Sequence, residues 1–143
     1  MNLAKYYPIA QAVAGLSKDP NTKVGALIID KRGSIRAVGY NGFPRGVNDD
    51  QSRYNDRDTK LKLIAHAEAN AIANAASTGT QIQGCSIVVT KFPCGECAKM
   101  IINTGISHIF SPEYSIMGDW ASSNYDAQRM FMEAGLTIEV FEE

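Results

Sequence analysis

The stretch CSIVVTKFPCGECAKMIINTGISHIF, residues 85–110, decides the architecture. Residues 85–90 form a short apolar run rich in β-branched side chains, the pattern of a strand buried on both faces. Pro93 and Gly105 bracket the next segment as a first-turn proline and a terminal glycine, which predicts a helix over 94–104. A second short strand is predicted over 108–110. Strand, helix and strand in close succession make a parallel crossover unit, whose helix must cover one face of a sheet.

The same reading extends outward. Downstream, Ser123 suits the cap of a helix over 124–134, Gly135 suits its end, and 137–141 alternates as a last strand. Residues 112–121, with Tyr114 and Trp120, carry no periodicity. Upstream, Leu61, Ile64, Ala65, Ala69, Ile72 and Ala76 share a face of one helix predicted over 59–77. Runs over 24–29 and 35–40 flank the turn Lys31-Arg32-Gly33-Ser34 and predict an antiparallel hairpin. A first helix is predicted over 3–17, with Pro8 placed in its first turn. Residues 41–57 are a long loop carrying Gly42, Pro44 and Gly46, and such loops are usually functional. The order α-ββ-α-β-α-β-α-β predicts an α/β chain of class three-layer α/β/α, with a mixed five-stranded sheet, as a single domain over 1–143.

Composition removes several function classes. The chain has 143 residues, 45% hydrophobic and 20% charged, an ordinary globular balance. Lys plus Arg is 14 against 15 Asp plus Glu, a net charge of -1, so no stable nucleic-acid partner is expected. No apolar run approaches the ~20 residues of a membrane span, and the N-terminal residues do not resemble a secretory signal. A cytoplasmic protein is expected. Three cysteines, two of them three apart, speak against a disulfide scaffold and for a metal.

His66, Cys94 and Cys97 supply the nitrogen and thiolate donors that zinc prefers. Cys94 and Cys97 share a face of one helical turn, at a helix N-terminus whose dipole favours thiolates. Glu68, two residues from His66, is placed to move protons beside the metal. Two other readings use part of this set. Cys94 and Cys97 alone could be a redox pair, and Cys85 or His108 could complete a closed structural zinc site. Only an open zinc site uses His66 and Glu68 together, and His-x-Glu followed by Pro-Cys-x-x-Cys is the signature of zinc nucleobase deaminases.

On these residues the chain resembles the cytidine deaminase superfamily. Two further stretches make it most similar to the deoxycytidylate (dCMP) deaminase family: residues 17–26, SKDPNTKVGA, and residues 39–46, GYNGFPRG. The resemblance runs over nearly the whole chain. It implies the same α/β/α fold, a Zn2+ cofactor, hydrolysis of dCMP to dUMP, and a homo-oligomer, commonly a hexamer, activated by dCTP and inhibited by dTTP. It implies that Glu68 serves as base and then acid, that the Ala67 amide meets the cytosine O2, and that Asn41 meets the deoxyribose.

Other contacts are expectations from position. Asn41 equally suits a turn. Lys23 is the nearest cation for the phosphate, and Tyr114 is placed to stack on the base. Arg53, Arg57, Lys60 and Lys62 alternate with acids and read as a solvated face. The loop of Gly42, Phe43, Pro44, Arg45 and Gly46 is the candidate site for a regulatory nucleotide. The same fold could instead act on dCTP, a modified deoxycytidylate or tRNA adenosine, or the chain could be a zinc-stabilised nucleotide-binding module without activity.

Overall fold

The computed structural model describes residues 1–114 and 116–143. Its sheet contains β1 (Gly25–Ile29), β2 (Ile35–Tyr40), β3 (Ser86–Val89), β4 (His108–Pro112) and β5 (Thr137–Phe141) in the spatial order β2-β1-β3-β4-β5. β1 pairs antiparallel with both β2 and β3, while β3–β4 and β4–β5 are parallel. The sheet is therefore mixed and five-stranded, as expected.

The two-residue period of a strand sets the layers. Leu27, Ile29, Val88 and Phe110 point to one face, where they pack against Ala10 of α1 (Tyr7–Ala14) and against Leu3 and Tyr6 of the 3₁₀ turn before it. Ala26, Ile28, Ile87, Val89 and Ile109 point to the other face. There they meet α4 (Ala67–Ser77), α5 (Gly95–Asn103) and α6 (Ala121–Glu133) through Ala71, Ala75, Ala98, Ile101, Ala127 and Phe131. Helices cover both faces, which gives the three layers.

The helix expected over 3–17 is a 3₁₀ turn over Leu3–Tyr6 followed by α1, which ends at Ala14, and two further segments differ from the sequence reading. Residues 41–57 contain a short helix, α2 (Gln51–Asn55). The helix expected over 59–77 is two helices, α3 (Arg57–Leu63) and α4, separated by extended residues 64–66. The cause is a tertiary bridge: the Gly42 amide donates to the Ala65 carbonyl at 3.1 Å, and the Ala65 amide donates to the Gly42 carbonyl at 2.8 Å. Backbone groups spent on Gly42 cannot continue a helical ladder.

The seat of α4 on the sheet depends on Gly39. A Cβ there would stand 2.3 Å from the Ala71 amide nitrogen and 2.4 Å from the Ala67 carbonyl oxygen, both backbone atoms that cannot turn away. Gly39→Ala should therefore cost stability at the overpacking scale, about 1–3 kcal/mol. Urea unfolding checks this, and an unchanged midpoint would show that α4 moves freely on β2.

Candidate active site

Two helix N-termini meet at one point. His66 is the N-cap residue of α4, with φ -77° and ψ 158°, and Cys94 is the N-cap residue of α5. Cys97 lies in the first turn of α5. The His66 Nδ1 atom is 3.5 Å from the Cys94 Sγ and 3.4 Å from the Cys97 Sγ. A tetrahedral zinc with Zn–S of about 2.3 Å and Zn–N of about 2.0–2.1 Å places nitrogen and sulfur ligands about 3.5–3.6 Å apart. The cluster matches that spacing, so its donor types and its geometry both fit zinc.

Three protein donors are the number that would hold a catalytic zinc, with the remaining position left for water or substrate. Neither Cys85 nor His108 belongs to the cluster. Cys85 is 4% exposed within the core, and the His108 Nδ1 is hydrogen-bonded to the neighbouring Ser107 hydroxyl at 2.8 Å. The closed four-ligand site is thus not formed among the described residues.

The first turn of α6 holds the loop that carries Cys94. The buried Asn124 amide donates to the carbonyls of Phe92 and Pro93 at 3.3 and 3.0 Å. The Ser123 hydroxyl accepts from the Gly95 amide at 2.8 Å. Ser123 thus satisfies an orphan donor of α5, whereas the sequence placed it as the cap of its own helix; α6 begins earlier, at Ala121.

The electrostatics follow from these contacts. The Cys94 thiol is pulled down to about 4, chiefly by a hydrogen bond from Cys97, with His66 adding to it. Cys97, as the proton-holding partner, is pushed up. Glu68 is 4% exposed, and burial raises its carboxyl above the ordinary range. A carboxyl raised in this way holds a proton more readily than a solvated one does. The Ala67 amide is in the first turn of α4, where no helical carbonyl is available to it.

A single cavity is lined by His66, Ala67, Glu68, Cys94 and Asn41. The structure brings these expected residues together. Two others fall elsewhere. The Lys23 ammonium donates to the Ser17 carbonyl and does not line the cavity. Tyr114 packs on Phe92 with ring centres 5.1 Å apart and lines a different hollow, between α6 and β5. The aromatic side chains lining the cavity are Phe92 and Trp120, the latter set edge-on to the His66 ring at 6.2 Å. The cations there are Arg57, Lys60 and Lys91. The solvated-face reading missed Lys60, whose side chain turns in to the buried Asp19 at 3.2 Å, whereas Arg57 lies on the exposed rim of the cavity.

This arrangement agrees with the known proteins that the chain resembles. The family described as cytidine and deoxycytidylate deaminase zinc-binding region matches residues 1–111. The chain belongs to this family. It is accordingly a hydrolytic deaminase with a zinc-binding region. The deoxycytidylate deaminase of Homo sapiens is 41% identical over 142 residues, covering 95% of this chain and 77% of that one. An uncharacterized deaminase of Aliivibrio fischeri is 40% identical over 136 residues, covering 94% and 89%. A crystal structure of the dCMP deaminase of cyanophage S-TIM5 in complex with dCMP and dUMP superposes with a TM-score of 0.80 at 25% identity, covering 96% of this chain and 95% of that one. Among the described residues, no helix of the deaminase is long and apolar enough to cross a membrane.

Proposed function

We propose that the deaminase converts dCMP and water to dUMP and ammonia, as a single deaminase domain of the cytoplasm. The observation that carries this reading is the buried Glu68 carboxyl in the same cavity as His66, Cys94 and the Asn41 amide, with Cys97 completing the donor cluster behind them. The deoxycytidylate deaminases among its relatives support the substrate.

When bound, zinc supplies a Lewis acid that lowers the pKa of water toward ~7. The rest is done by the chain. Glu68 takes a proton from the attacking water and delivers it to N3 of cytosine. The water oxygen bonds to C4, Glu68 takes the second proton from the resulting C4 hydroxyl and passes it to the amine, and the C4–amine bond breaks as the C4 carbonyl forms. One carboxyl thus acts as base and acid in turn. The Ala67 amide donates to the cytosine O2, and Trp120 forms the wall beside the base.

The phosphate falls to Arg57 and Lys91 rather than Lys23. Arg57 pairs with Asp119 at 3.2 Å, with both side chains largely exposed. Lys91 sits over the Trp120 ring at 5.8 Å. Both cations are accessible to a dianion, and the Asp119 carboxylate marks where one is received.

Following ammonia release from dCMP, dCTP, deoxycytidine and cytidine tests the reading. A charge-assisted hydrogen bond is worth about 1.5–3 kcal/mol, so dCMP should exceed deoxycytidine in kcat/KM by one to two decades. Arg57→Ala should narrow that gap. Equal rates on the two would remove the phosphate contact, and a preference for dCTP would replace dCMP as substrate.

Regulation belongs to the same reading. Residues 42–46 are the proposed site for dCTP as activator and dTTP as inhibitor, in a homo-oligomer of hexamer type. Phe43 of this loop stacks on Tyr54 at 4.4 Å, and Arg45 donates to the Asn74 side chain at 2.7 Å. Asn74 lies on α4, the helix that carries Glu68, so order in the loop and position of the acid share a mechanical link. Repeating the dCMP titration with each triphosphate present tests it. A hyperbolic curve unaltered by either would reject regulation.

A further inference from the structure

The side of α4 that lies along β2 carries two asparagines that the reaction above does not use. β2 stands at one edge of the sheet, and its Val38 and Tyr40 carbonyls, two residues apart, point the same way. The Asn74 Nδ2 donates to the Val38 carbonyl at 2.7 Å, and the Asn70 Nδ2 donates to the Tyr40 carbonyl at 2.8 Å. The spacings agree. Four residues of helix rise about 6.0 Å, and two residues of strand rise about 6.4–6.8 Å. The two amides and the two carbonyls are therefore in step, with α4 running antiparallel to β2.

Asn70 makes a second tie. Its Nδ2 also donates to the Ala65 carbonyl at 3.4 Å, which accepts the Gly42 amide as well, at 3.1 Å. Each carbonyl is one half of a rigid peptide plane whose other half is the N–H of the next residue. The Tyr40 carbonyl belongs to the plane that leads into Asn41, and the Ala65 carbonyl to the plane that leads into His66. One side-chain amide thus joins the strand end that carries Asn41, the extended residues that carry His66, and the helix that carries Glu68. The task needs two donors on one nitrogen. A carboxylate offers none and a hydroxyl only one.

The packing shows why hydrogen bonds are needed here. α4 meets β2 where Gly39 lies against the backbone of Ala67 and Ala71. A glycine and two alanines carry no side chain long enough to interlock, and it is interlocking ridges that stop a helix from sliding along its neighbour. The contact fixes how closely α4 approaches β2. The asparagine amides fix its height along the strand.

We propose that Asn70 is a positioning residue for the deamination: by holding α4 in register with the end of β2, it sets the distance from Glu68 and the zinc donors to the base of a nucleotide held at Asn41. This rests on the dCMP reading above. Asn70 touches no reacting atom and acts through the elements that it joins. A misplacement of about 1 Å between reacting groups can cost about 10²-fold in rate. The side chains assigned to sugar and phosphate, Asn41, Arg57 and Lys91, lie outside α4, so binding survives a shift that spoils the chemistry.

The test is Asn70→Ala, assayed with dCMP and referred to zinc content. Alanine is the better helix former, so the change does not loosen α4 itself. Turnover per bound zinc should fall by about 10- to 100-fold, while KM for dCMP stays within about threefold. Asn70→Asp keeps the shape and removes both donors, so it should show the same split, and it decides alone if the alanine variant does not fold. A merely structural residue would lower the melting temperature and leave kcat per zinc-loaded chain in place. That result overturns the proposal, as does a rise in KM with kcat unchanged, and either one leaves dCMP deamination standing. No turnover of dCMP by the zinc-loaded, unaltered enzyme overturns both.

Discussion

Glu68→Gln leaves a folded, zinc-binding protein that has lost turnover by about 10⁴-fold or more. General acid–base groups contribute typically 10²–10⁴-fold, and Glu68 is asked to move a proton more than once in each cycle, so the upper end applies. Glutamine keeps the shape and both hydrogen-bonding positions but cannot take up or release a proton. Its position makes the loss irreplaceable, since at 4% exposure bulk water cannot stand in for the carboxyl. The substitution should not weaken the fold. Burial raises the Glu68 carboxyl, which means that the folded state disfavours its charged form. A neutral amide removes that penalty, so the melting temperature of Glu68→Gln should equal or exceed that of the parent. Activity and stability then move apart, which a general packing defect would not produce. Near-normal turnover in Glu68→Gln would show that the proton moves by another route.

Removing the metal is the second large effect. Cys97→Ala should reduce bound zinc to well under one per chain and cut activity by at least ~100-fold, since even an outer partner of a metal ligand costs 10–100-fold when mutated. Cys85→Ala is the matched control: the same chemical change in the core, away from the cluster, with zinc and activity retained. Dialysis against a chelator should lower the melting temperature of the unaltered protein, and zinc should restore it. A ligand present at 1,000 times its Kd stabilises by about 4.1 kcal/mol, so the shift should be large. It also has a structural cause. The donors come from the N-termini of α4 and α5, so losing the metal removes a cross-link between the two helices. Elemental analysis after dialysis should return one zinc per chain. Two would mean a second site at Cys85 or His108, and none in an active enzyme would sink the mechanism.

Much of this was legible without coordinates. The apolar run over 24–29 and the crossover over 85–110 contain the strands of the sheet and the helix that covers it, because strand and helix periods are local properties of the chain. The metal cluster was legible for the same reason. Cys94 and Cys97 are neighbours on one helical turn, and His66 and Glu68 are two residues apart, so short-range geometry keeps each pair together. Pairing the two motifs required only the recognition that together they make one zinc chemistry.

The walls of the cavity were not legible. Lys23, the nearest cation along the chain, turns to the Ser17 carbonyl, while Lys60, deep in a charged run, is drawn inward by Asp19. Tyr114 goes to Phe92, and Trp120 takes the place beside His66. The break between α3 and α4 leaves no mark in the sequence, since no glycine or proline interrupts residues 59–77 and the helical periodicity runs straight through it. It exists because Gly42, more than twenty positions away, claims the backbone of Ala65. The sequence by itself determined the layers and the two short motifs that carry His66 with Glu68 and Cys94 with Cys97, each written in residues within a turn or a strand of one another. Only the tertiary structure decided which side chains surround them, because those contacts join distant segments, and a side chain's direction there is set by the partner it meets rather than by its neighbours in the chain.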